Sequence, residues 1–212
     1  MSVTSDTEIA NLALTRLGNK SLITGLDQGT TTADLCNLHY PRCRDAVLRA
    51  HPWNFAVRRA SLSQDDDYTS VFEYDYRFLL PTDCLKVIRT AWDSNAYATG
   101  VAVYGFPGVF GSATTLIPYR IEGRYLLCNE TSAQIEYVAQ ITDVSQFDEL
   151  FVDVLAQRLA AELSPAITAN SSLTNQLWQV YQAKLVEARL VDAQEGTPRD
   201  VVDVSPWITA RV

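Results

Sequence analysis

Apolar residues recur at helical spacing in four stretches of the chain, two before a β-like middle and two after it. Over residues 5–17, Ile9, Leu12, Ala13 and Leu17 fall on one face of a helix. Ser5 and Glu8 fit a capping box at its start, and Gly18 supplies a stop. Leu22, Ile23 and Leu26 anchor the loop that follows. A second helix begins after Thr30 or Thr31, with Asp34 in its first turn, where a carboxylate favours the N-terminal dipole. Leu35, Leu38, Cys43, Val47 and Leu48 share its inner stripe, Pro41 predicts a kink and Pro52 ends it. Ser145 and Asp148 cap a third helix, whose apolar face is Phe147, Phe151, Val154, Leu155, Leu159 or Ala161, and Leu163, closed by Pro165. Ser171 or Ser172 opens the fourth, with Leu173, Leu177, Val180, Tyr181, Leu185 and Ala188 inward and Gly196 at its end.

Residues 71–141 change period. Phe72, Tyr74 and Tyr76 alternate, and Leu85, Val87 and Ile88 do so less cleanly. "TLIPYRIEG", "RYLLCN" and "AQIEYVAQI" are short strand candidates, and "IEGRYLLCN" is a hairpin turning at Glu122-Gly123. Two helices before a small antiparallel β segment and two after it predict an α+β chain. The economical arrangement is a four-helix bundle, 1–60 and 142–196, with the β domain 61–141 inserted. Residues 93–115 form a long loop inside that domain, rich in small residues, with Tyr97, Tyr104, Phe106 and Phe110 interspersed. It is either a partner-binding surface or an extra hairpin packed on its own sheet. The last stretch, 197–212, has two prolines and neither period, yet carries Val201, Val202, Val204, Trp207 and Ile208. It reads as an extended arm whose apolar anchors lie on its own domain or on a neighbour.

Composition narrows the classes. Of the 212 residues, 47% are apolar and 20% charged, an ordinary globular balance, and the net charge of −8 argues against a dedicated nucleic-acid binder. An acidic wall remains compatible with DNA that must slide past without sticking. The start lacks the basic and apolar regions of a signal peptide, and no apolar run approaches a membrane span. A soluble protein made in a cytoplasm is expected. Cys36, Cys43, Cys84 and Cys128 form no CxxC pair, so free thiols are expected.

Candidate chemistry is sparse. Nucleotide, P-loop, HExxH and GxSxG motifs are all missing, which points away from an enzyme and from any cofactor. Cys36, His39 and Cys43 share a helix face and could converge on zinc with Cys84 or Cys128 as the fourth ligand. That spacing is more often a core stripe. Asp65–Asp67 read as a solvated turn, and Glu149, Asp153 and Glu162 as an exposed helix face. Arg42, Arg44, Arg49, Arg58 and Arg59 are the one basic concentration, favouring a docking patch for an acidic partner over a plain solvated face. They surround "HPWNFAVRR", where Pro52, Trp53 and Phe55 read as structural anchors, with the two rings on one side of an extended segment.

"LALTRLG", "TADLCNLHYPRCRDAVLRAHPWNFA", "YRFLLPTDCLKV", "YRIEGRYLLCN" and "IEYVAQITDVSQFDELFVDVLAQRLAAELS" occur in that order over residues 8–190. Together they resemble the phage tail tubular protein A family, the head-to-tail adaptors of short-tailed phages. Residues 93–115 and the last sixteen residues fall outside the match. The resemblance implies a non-enzymatic virion protein of the tail, assembled in the bacterial host cytoplasm as a ring of twelve subunits. Such a ring sits below the portal protein, continues its DNA channel without reading sequence, and carries the nozzle, tail tubular protein B. No membrane is involved. Within that scheme the arm residues would bind portal or the neighbouring subunit, and the aromatic loop would face the nozzle. A connector or head-completion protein of a long-tailed phage is the nearest alternative. A small-molecule-binding module using Trp53 and Phe55 as a shelf is a more distant one.

Overall fold

The first helix, α1 (Asp6–Arg16), starts as its capping box requires: the Ser5 hydroxyl accepts the Glu8 amide at 3.3 Å. It ends at Leu17, followed by Gly18 with φ +76°, a conformation that glycine adopts without Cβ strain. The computed structural model describes residues 5–91 and 118–195. The loop 93–115 and the arm 197–212 therefore lie outside the described residues.

Thr30 caps α2 (Thr31–Ala50), its hydroxyl accepting the Ala33 amide at 3.3 Å. Pro41 sits inside this helix without ending it, and the helix stops at His51, which stands in an extended conformation before Pro52. Asp148 caps α3 (Glu149–Thr168) through the Leu150 and Phe151 amides. Asn170 caps α4 (Ser171–Gln194) in the same way, through Ser172 and Leu173.

The expected stop at Pro165 is wrong, because α3 continues to Thr168. A proline this close to a helix end forfeits one backbone bond. Ser164 and Thr168 reinforce the same turn, the Thr168 hydroxyl donating to the Ser164 carbonyl at 2.8 Å. The helix stops at Ala169, which adopts φ +50°.

Among the described residues, six strands form two three-stranded antiparallel sheets. The first has the order β1 (Val57–Ser61), β6 (Gln134–Ala139), β3 (Cys84–Ala91). The second has the order β2 (Tyr76–Leu79), β5 (Tyr125–Cys128), β4 (Arg120–Glu122). The hairpin β4–β5 pairs Glu122 with Tyr125 and turns through Gly123, φ +60°, as its sequence signals. Register shifts between Cys84 and Lys86 and between Val87 and Arg89 explain the poor alternation of β3. Strand β1 has no counterpart among the sequence expectations. Alternation from Phe72 also misleads: the strand begins only at Tyr76, and Phe72 is exposed.

Helix α3 is the hub, packing against α1, α2 and α4, while α2 also touches β3 and β6. The buried apolar residues form one cluster that runs from Ile9 to Ala188 through the helices and both sheets. Most expected inner positions are in it, but Leu12, Leu38 and Val180 are exposed. In α1 and α2 the buried stripe is shifted toward Ala10 and Leu14 and toward Cys36 and Tyr40, whereas in α4 the expected Leu177, Tyr181, Leu185 and Ala188 are buried and Val180 lies at their edge. Leu22 is exposed as well, while Ile23 is held by Asn11, whose amide bonds both backbone groups of Ile23 at 2.9 Å.

Candidate interaction surface

The turn after α2 is built around Trp53. Its indole is fully buried and donates to the Val47 carbonyl at 2.9 Å. The ring meets His51 and Phe151 edge-on, with centroids at 5.0 and 5.3 Å. Phe55 packs on Phe151 at 5.0 Å and on Phe147 at 5.8 Å. Pro52 ends the helix and admits this cluster, so the three residues are structural anchors. The local backbone differs from expectation: Asn54–Ala56 is a 3-10 turn, not an extended segment. The two rings still share the apolar space, because α3 supplies Phe151 between them. A buried Trp53 offers no shelf to a ligand.

The same turn receives the end of α4. The Asp192 carboxylate accepts the Asn54 amide at 3.1 Å and contacts His51 Nε2 at 3.0 Å. The Asn54 side chain donates to the Asp192 carbonyl at 2.7 Å, and Arg189 donates to the Ala50 carbonyl at 2.8 Å. The last turn of α4 is thereby fastened to the segment that leads into β1.

Beyond that turn lies an open groove of about 810 Å³ on the face of the first sheet. Pro52, Asn54, Val57 and Ile88 form its rim and apolar floor. Its polar side is Arg58, Arg59, Arg89 and Glu136. Register explains the cluster: Glu136, on the central strand, stands opposite Arg59 of β1 and Arg89 of β3. Its carboxylate contacts both guanidiniums. One carboxylate thus serves two cations, and the groove keeps a positive excess. Arg58 lies toward Asp83 at 3.3 Å, and the same carboxylate accepts the Tyr137 hydroxyl at 3.2 Å. The Arg59 side chain is 78% exposed, so its charge is available to an incoming group.

The structure therefore divides the five expected docking arginines. Arg58 and Arg59 line the groove together. Arg42 is exposed on α2, and Arg49 donates to the Leu85 carbonyl of β3. Arg44 is buried and paired with the adjacent Asp45 at 2.9 Å, so it is not a docking residue. Arg44 is drawn in because the buried face of α2, with Tyr40, Cys43, Val47 and Leu48, is wide enough to include it. Arg89 and Glu136 escaped sequence reasoning because only strand register brings them to Arg59.

The remaining candidates resolve simply. Cys36 and Cys43 are buried in the core, where burial pushes their thiols up to about 11 and about 12. No group of three metal-ligating side chains occurs among the described residues. Asp65 is not merely solvated: its carboxylate pairs with Arg77, which is stacked between the rings of Tyr68 and Tyr125. Asp153 is not a free surface acid either, since it holds Arg16 of α1 and Lys184 of α4. Glu162 pairs with Arg158 one turn away, and Glu149 is exposed as expected.

The arm residues Val201, Val202, Val204, Trp207 and Ile208 lie outside the described residues, as do Tyr97, Tyr104, Phe106 and Phe110 of the loop. Among the described residues no helix is long and apolar enough to cross a membrane. No protein-family model matches this chain, and no curated protein matches it.

Proposed function

We propose that the chain is a structural head-to-tail adaptor of a short-tailed phage, one subunit of a ring that joins the portal to the tail nozzle and continues the DNA channel. The observation that carries this reading is the order of elements. Two helices, a β segment and two helices follow one another as the adaptor-like motifs do, and α3 gathers the other three helices around itself. In this reading the four helices are one rigid bundle that packs side by side in the ring, and residues 61–141 are a β domain inserted in it. The arm 197–212 engages the portal or an adjacent subunit, with Trp207 as its main anchor, because a buried tryptophan removes much apolar area at low entropy cost. Repetition around the ring makes weak arm contacts act together. The loop 93–115 faces the nozzle. A net charge of −8 suits a wall past which DNA slides.

The test is electron microscopy of the purified protein mixed with a portal from a short-tailed phage that encodes this chain. Collars or rings on the portal are expected. Deletion of 197–212 should leave a folded protein that no longer joins it. Particles of bare portal with the intact chain would overturn the proposal, and free monomers in the absence of portal would not, because a portal template can be required for the ring.

A further inference from the structure

We infer that the groove between β1 and β3 is the docking site for the chain's own C-terminal segment, residues 196–212, in the free protein. Three observations converge on this occupant. The first is position. Asp192 ties the last turn of α4 to Asn54, and Asn54 is itself part of the groove rim. The chain leaves α4 at Glu195 with seventeen residues still to place. Asn54 and Arg59 are five positions apart, a span of at most about 17 Å, so Asp200 and Asp203 are within reach of the arginines.

The second is charge. The groove presents Arg58, Arg59 and Arg89 against Glu136 in its lining and Asp83 beside Arg58, so one positive charge is in excess, and the Arg59 side chain carries it outward. Residues 200–208, "DVVDVSPWI", carry Asp200 and Asp203 and no base, with Arg199 and Arg211 outside them. The stretch that the groove would hold is therefore acidic where the groove is basic. The third is the presence of apolar groups among and beyond those acids. Val201, Val202, Val204, Trp207 and Ile208 match a floor made by Pro52, Val57 and Ile88.

Tethering makes a modest contact sufficient. A short connection gives an effective concentration on the order of millimolar, so an interaction too weak to hold a separate peptide still keeps the segment in place. Docking is a property of the free chain and stands whether or not the adaptor reading holds. If that reading does hold, the same segment must leave the groove to reach a portal, and the free subunit carries its arm covered.

Hydrogen exchange of the full-length chain tests the inference. Amides within 200–208 should exchange about tenfold or more slowly than in R58Q/R59Q and in D200N/D203N, while α3 amides keep their rates in all three chains. D200N/D203N changes none of the described residues of the folded body, and α3 amides report on its stability, so it decides the matter if R58Q/R59Q proves unstable. Unprotected amides in the unaltered chain would overturn the inference, as would protection that survives D200N/D203N and R58Q/R59Q alike. Protection that disappears on dilution, together with dimers in sedimentation, would assign the groove to a second copy and sink the intramolecular form. Failure of portal collars would not touch any of these outcomes.

Discussion

Trp53 is the residue on which the junction of helices and sheets depends. Its ring is fully buried between His51 and Phe151, and its one polar atom is satisfied by the Val47 carbonyl. Truncation to alanine removes the apolar contact, opens a cavity that the fixed ends of α2 and α3 cannot close, and leaves that carbonyl without its donor. Trp53→Ala should cost about 3–5 kcal/mol, read from urea unfolding. Trp53→Phe keeps most of the packing and loses the hydrogen bond, so it should cost clearly less. Equal loss in both variants would mean that the hydrogen bond, not the packing, dominates. Arg59 stands at the other extreme of the same stretch: exposed, paired loosely at 3.6 Å, and worth little to stability. The two residues are six positions apart and do opposite work, one holding the fold and the other facing outward.

At the scale of elements, Asp153 shows how the helices are fastened. It sits on α3 and binds Arg16 of α1 and Lys184 of α4, so one carboxylate ties three helices. Partial burial works against its charged form, but the Lys184 hydrogen bond and the Arg16 charge outweigh that and hold its pKa below the ordinary value. A carboxyl lowered in the folded state contributes stability above its unfolded pKa and loses it as pH falls through the folded one. Asp153→Asn should therefore be less stable than the parent at pH 7, with the gap closing below about pH 4. A constant gap across the acid range would show that Asp153 acts through something other than its charge. This junction was not legible in the sequence, where Asp153 read as part of a solvated face. Helix existence was legible, although Ser145 falls in a turn ahead of α3, which Asp148 caps, and Asn170 rather than a serine caps α4. The starts at Ser5 and Thr30 were legible too, because these are cap residues with a local mechanism. The hairpin at Gly123 was legible for the same reason. The stop at Pro165, the strand β1 and the pairing of Glu136 with Arg59 and Arg89 were not. Each of these depends on partners distant in sequence, and residue type alone does not encode register. The groove was half legible: Arg58 and Arg59 stood out as a pair, while its third arginine and its floor came only with the sheet.

At the scale of the whole molecule, the stretch that carries the loop aromatics leads from one sheet to the other, as do the β1–β2, β2–β3 and β5–β6 connections. Strand β3 ends in the first sheet at Ala91 and β4 begins in the second at Arg120. Both ends are paired into their own sheets, β3 with β6 and β4 with β5. Substitutions within 93–115 change none of the residues that form these pairings. In an adaptor with separate docking regions, Tyr97, Tyr104, Phe106 and Phe110 would serve the nozzle, and the groove and the C-terminal arm would serve the subunit and the portal. Aromatic side chains dominate such contacts because each removes a large area from water and loses few rotamers. Replacing all four by serine keeps the length and reach of the connection while removing that area. The quadruple variant should unfold at the parent's temperature, still form collars on the portal, and fail to retain the nozzle in a pull-down from assembled particles. Equal loss of portal and nozzle binding would contradict the division of labour. Undiminished nozzle binding would move that contact to another surface, with the exposed Val71 and Phe72 beside β2 as the next place to look.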